Sequence, residues 1–152
     1  MDQLFPCLWF KDEAEQAVEF YLSVFKDGRI RQVMRMGPEG PVIVIEFELR
    51  GRRMMALNGN RNPGFTPAVS LVVECETQDD IDALWDVLSA AGKTQQCGWL
   101  SDRYGVTWQI VPRQLPVMLR DSDAARVMRV IQAMTPMVKL DLAVLTAAYL
   151  GA

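Results

Sequence analysis

The 152-residue chain is 50% hydrophobic and 23% charged, with a net charge of −3, the make-up of one compact globular domain with a real core. Its charges are interspersed and no apolar run approaches the ~20 residues that span a bilayer, which argues against nucleic acid and membrane as partners. It contains no histidine, so the commonest metal ligand and the usual neutral-pH general base are both missing.

The opening residues MDQLFPCLWFKDE are acidic within two positions and lack the basic-then-apolar pattern of a secretion signal. Cys7, Cys75 and Cys97 are an odd number without CxxC spacing. They read as reduced thiols of a cytoplasmic protein.

LFPCLWF (4–10) reads as a strand. Asp12, with Glu15 three residues on, resembles a capping box, and Ala14, Ala17, Val18, Tyr21, Leu22 and Phe25 follow at helical spacing until Gly28. RIRQVMRM (29–36), VIVIEFELR (42–50) and RRMMALN (52–58) are three strands, the last two joined by a tight turn at Gly51. After the breaker-rich RNPGFTP (61–67) the pattern restarts. AVSLVVECE (68–76) is a strand, and Thr77 with Asp80 caps a helix whose apolar face is Ile81, Leu84, Trp85 and Leu88, closed by Gly92. KTQQC, GWLS and VTWQIVP complete a second set of strands, the last two joined by a tight turn at Asp102–Gly105. This order occurs twice, over about 1–60 and 66–112, and reads as an internal duplication. In 113–152, Ser122 caps a helix carrying Ala124, Val127, Met128, Ile131 and Met134, and Asp141 caps a last one with Leu142, Leu145 and Tyr149. These tail helices are too apolar on one side to stand free, and must pack on the sheets or on another subunit.

The predicted fold is α+β: a single domain of two βαβββ modules forming curled mixed sheets with a cleft, plus C-terminal helices. Strand parity assigns faces. Leu71, Val73 and Cys75 oppose Ser70, Val72 and Glu74; Val106, Trp108 and Ile110 oppose Thr107, Gln109 and Val111; Met55 and Leu57 oppose Met54, Ala56 and Asn58. The first set of each triple is expected against a helix and the second toward the concave side, where a mixed surface suits a small molecule.

The candidate ligand-binding residues are therefore Asn58, Ser70, Glu74, Trp99, Thr107 and Gln109. Each has a plainer reading. Gln109 could be a hydrogen-bonded strand residue, Asn58 a turn former before Gly59, and Glu74 a solvated carboxylate rather than a base. Cys97 reads as a structural thiol, since sequence shows no basic neighbour to activate it. Trp9, Trp85 and Trp108 read as core, leaving Trp99 to line a pocket.

The stretches FPCLWFKDEAEQAVEFYLSVF, EFELRGRRMMALNGN, VVECETQDDIDALWDVLSAAG and CGWLSDRYGVTWQIVP, together with the tail RVMRVIQAMTPMVKLDLAVLTAAYL, resemble the PhnB-like group of the vicinal oxygen chelate superfamily, which includes glyoxalases, bleomycin-resistance proteins and extradiol dioxygenases. Metal-dependent members place one ligand on each of four strands. By register those positions fall on Pro6, Ala56, Ser70 and Gln109, with Cys7 one residue from the first. They supply no convincing donor set, so neither metal nor cofactor is expected. The resemblance implies a small-molecule binder and homodimer. A metal-independent enzyme using Glu74, Cys97 or a tyrosine, or a structural dimer module, are the alternatives. The methyltransferase label carried by relatives is not supported, because no glycine-rich strand-to-helix turn is present.

Overall fold

The computed structural model describes residues 4–152, which divide at Gly64/Phe65 into two compact units. The first holds β1 (Cys7–Phe10), α1 (Ala14–Val24), β2 (Arg29–Arg35), β3 (Val42–Leu49) and β4 (Arg52–Asn58). Its sheet order is β1-β4-β3-β2, with β1 parallel to β4 and the other pairs antiparallel. The second holds β5 (Leu71–Cys75), α2 (Gln78–Ser89), β6 (Lys93–Thr94), β7 (Trp99–Ser101) and β8 (Thr107–Pro112). Its order, β5-β8-β7-β6, repeats the first with the same parallel pair. The duplicated βαβββ grammar is thus present as two four-stranded mixed sheets.

Two glycines mark the repeat. A Cβ on Gly28 would lie 2.7 Å from the carbonyl oxygen of Glu48, and one on Gly92 closer still to that of Ser101. Each sits where the chain leaves its helix and passes under the neighbouring strand, so only glycine fits. Neither ends its helix, as the sequence implied, because α1 stops at Val24 and α2 at Ser89.

In the first unit Ala14, Ala17, Val18 and Tyr21 of α1 are fully buried, with Ile45, Phe47 and Ala56 of the sheet at 1% exposure or less. In the second, Ile81 and Leu88 of α2 are as deeply buried as Leu100 and Ile110. Burying each large side chain contributes about 1.5–3 kcal/mol.

The helix caps differ in kind. Thr77 and Asp80 form the predicted capping box on α2. The one expected at Asp12 and Glu15 does not form: Glu13 is the N-cap and gives no side-chain bond. Asn58 replaces it from across the fold, its Oδ1 accepting from Ala14 N at 2.9 Å while its Nδ2 donates to Val42 O at 3.1 Å.

The tail belongs to the second unit. It forms α3 (Leu115–Met118), α4 (Ala124–Met134) and α5 (Leu142–Leu150). α3 was not legible in the sequence, and α4 is capped by Asp123 rather than Ser122. Leu115, Met118, Val130, Leu140 and Leu145 close on Val111 at the end of β8. The linker between α4 and α5 is pinned: Cys97 N and Gly98 N donate to Met137 O and Val138 O at 2.8 Å. Gln78 accepts from Leu142 N at 2.8 Å and donates to Leu140 O at 3.2 Å, and Lys139 pairs with Asp82 at 2.8 Å. No helix among the described residues is long and apolar enough to cross a membrane.

Candidate functional site

Each sheet has one face against its helix; the other is open on the first sheet and partly covered on the second, where the tail closes over Val111. On the first sheet the assignment made from parity is reversed in β4. Met54 and Ala56 are buried with Phe47 and Ile45, and Asn58 reaches the helix. The open face therefore carries Cys7, Trp9, Met55 and Leu57, paired in register. Asn58 is withdrawn from the ligand-contact set because both ends of its amide are engaged in holding α1 and β3. Trp9 is half-buried rather than core, with the Arg61 guanidinium 4.8 Å from its ring centre. Beside it, Gln32, Met34, Val44, Glu46 and Met55 line a depression of about 200 Å³, whose carboxylate is held by Arg53 at 2.7 Å.

On the second sheet the parity holds for the helix-facing set and for Val72 and Gln109, but Thr107 and Val111, expected on the open side, are buried, Val111 among the tail residues. Trp108 and Ile110 are buried, while Val72 is 56% exposed and Gln109 half-buried. Gln109 pairs in register with Val72 on one side and Trp99 on the other. Its Nε2 donates to Ser70 Oγ at 2.8 Å, which leaves Oε1 as an acceptor, beside the second Nε2 hydrogen, between an aliphatic and an aromatic neighbour. Glu74 lies on this face but is exposed, so no burial makes it a base. Cys97 places its sulfur 3.8 Å and 3.9 Å from the carbonyl oxygens of Met134 and Thr135. Those are acceptors, not the cationic neighbours that activate a thiolate.

Thr107 faces the other end of β8. There Phe65, Pro67, Lys93, Ser101 and Arg103 join it around a depression of about 410 Å³. The sequence reading missed Lys93 and Ser101. Parity of the short strands β6 and β7 carries the signal, but it requires their register. The wall is shaped by Asp102, whose carboxylate accepts from Tyr104 N at 2.8 Å, Val106 N at 3.1 Å and Trp108 Nε1 at 2.8 Å. This Asx-type turn sets the β7–β8 hairpin.

The four register positions for metal ligands supply no donor set. Pro6 precedes β1, Ala56 is fully buried toward α1, and only Ser70 and Gln109 share an open face. No group of three His, Cys, Asp or Glu side chains that could hold a metal occurs among the described residues. A hydroxyl and a carboxamide bonded to each other are a poor site for a catalytic divalent ion. The strand-to-helix turns are Lys11-Asp12-Glu13 and Glu76-Thr77, without the glycines that admit a nucleotide-type cofactor.

Two repeated βαβββ units of this topology define the vicinal oxygen chelate class of fold. The family described as 3-demethylubiquinone-9 3-methyltransferase matches residues 2–111, and the chain belongs to this PhnB-like family. A Bacillus cereus protein described as a putative 3-demethylubiquinone-9 3-methyltransferase, PhnB protein, is 34% identical, with a TM-score of 0.67 over 73% of this chain and 99% of its own. The Pseudomonas aeruginosa protein PA1353 shares the fold at 17% identity and a TM-score of 0.64, over 74% and 98% of the two chains. So does the fosfomycin resistance protein FosX of Listeria monocytogenes, complexed with Mn(II) and sulfate, at 12% identity and a TM-score of 0.56, over 78% and 95%. No curated protein sequence matches the chain.

Proposed function

We propose that the protein binds a small, largely apolar molecule on the open face of its second sheet and holds it without converting it. The observation that carries this reading is the Gln109–Ser70 hydrogen bond of 2.8 Å. It fixes one carboxamide so that a single acceptor is presented between Val72 and Trp99. Apolar contact supplies affinity at roughly 25 cal/mol per Å² removed from water. The acceptor supplies direction, favouring a ligand with an N–H or O–H to give. Glu74 and Cys97 lack the burial or the cationic neighbour that would equip them as base or nucleophile, so the enzyme reading has less support. The same donor poverty separates this chain from the Mn(II)-complexed FosX. Methyl transfer, the chemistry in the family's description, finds no cofactor turn here. The cytosol suits its three free cysteines.

Native mass spectrometry of protein purified without denaturation tests the reading. A bound species of up to one per chain, released unchanged after incubation with a large excess of itself, supports it. Conversion of that excess into a product of different mass contradicts it.

A further inference from the structure

The depression at the far end of β8 is built differently from the Gln109 patch, and we infer that it is a binding site for a small monocarboxylate. The register places Thr107, Ser101 and Lys93 in one row across β8, β7 and β6. Their side chains therefore point to the same side of the sheet. Thr107 is 3% exposed as a residue and lines the depression, and its hydroxyl forms no hydrogen bond with another described residue. A hydroxyl so placed can donate to a ligand oxygen.

The charge is chosen by the lining. Lys93 is exposed at the rim and forms no ion pair among the described residues. Arg103 stands on the adjoining turn, and Asp102 lies in the wall. Two cations against one carboxylate leave a single net positive charge. Asp102 is 3% exposed and turned onto its three donors, so it repels a dianion without itself offering a contact. A carboxylate accepting from an ammonium and a hydroxyl makes charge-assisted bonds stronger than neutral ones. Phe65 and Pro67 form an apolar wall beside these donors, suited to the body of an aromatic or aliphatic acid. The volume of about 410 Å³ is within the range of small-ligand pockets. This site does not rest on the reading of Gln109: that patch selects a neutral donor-bearing ligand, this one an anion.

Amide NMR titration of the full chain with sodium benzoate at constant ionic strength tests the inference, with benzamide and inorganic phosphate as comparison probes. Benzoate is expected to saturate, shifting the amides of Lys93, Ser101 and Thr107, and to bind at least about tenfold more tightly than benzamide or phosphate. Lys93→Met, a change at an exposed strand position, should weaken benzoate about fivefold or more, and Thr107→Val about threefold. Lys26→Met, in the other unit, should change nothing. Shifts that stay linear or spread over unrelated lysines would overturn the inference. So would equal binding of benzamide, tighter binding of phosphate, or full affinity in Lys93→Met. If Thr107→Val does not fold, Lys93→Met alone decides.

Discussion

Asn58, the last residue of β4, caps α1 by accepting from Ala14 N at 2.9 Å across 44 residues of sequence. The same amide donates to Val42 O, so one half-buried side chain ties helix, β4 and β3 together. Asn58→Ala removes a cap and leaves two backbone groups without their partner. It should lower stability by about 1–3 kcal/mol. Chemical denaturation measures this, and a change below a few tenths of a kcal/mol would remove Asn58 from its structural role.

Trp108 and Asp102 offer a second test within the β7–β8 hairpin. The indole Nε1 donates to a carboxylate that is 3% exposed. Trp108→Phe keeps most of the apolar contact but removes a charge-assisted bond to the carboxylate, so a loss of about 1–3 kcal/mol is expected. Asp102→Ala removes all three bonds and should open the turn, seen as faster amide exchange at Tyr104 and Val106.

The tail should respond to acid. Asp82 is held below the ordinary carboxylate range by its hydrogen bond with Lys139, then by Gln78. Asp121 is held low by the Asp123 N–H and then by the Tyr149 hydroxyl. A carboxyl depressed in the folded state adds stability above its unfolded pKa and loses it as pH falls through the folded value. Both contacts therefore stand at neutral pH and fade below about pH 4. Amide exchange across α4 and α5 should accelerate there, beyond the intrinsic pH dependence of exchange, more than across the first unit. Asp82→Asn and Asp121→Asn should show weakened tail protection already at pH 7.

The protein is also expected to be a homodimer. All of β2 is exposed at the edge of its sheet, with Ile30, Val33 and Met34 at 44%, 39% and 48% exposure. Apolar side chains exposed along an unpaired strand edge are ordinarily covered. Sedimentation at micromolar concentration should give the mass of two chains, and a stable monomer would defeat the expectation.

How much of this was legible in sequence differs between the halves. In LVVEC and VTWQIVP the helix-facing set could be chosen from alternation, but the burial of Thr107 and Val111 on the other side could not. In RRMMALN four apolar residues run consecutively from Met54 to Leu57, so alternation cannot choose a face. The residue that decides it, Asn58, does so through a contact with α1 that local pattern does not encode. The capping box at Thr77 was readable because both partners lie within one turn. The row of Thr107, Ser101 and Lys93 was not, since it depends on pairing three short strands in register.

The central claim is that Gln109 presents an acceptor to a neutral, donor-bearing ligand. The most direct measurement titrates indole and 1-methylindole, which differ in one N–H, into the wild type and Gln109→Leu by amide NMR. The wild type should bind indole about tenfold more tightly, equivalent to ~1.4 kcal/mol, with shifts at Val72, Trp99 and Gln109. Gln109→Leu should fold normally and lose the preference. Absence of saturable shifts on that face, or a preference retained in Gln109→Leu, would contradict the account.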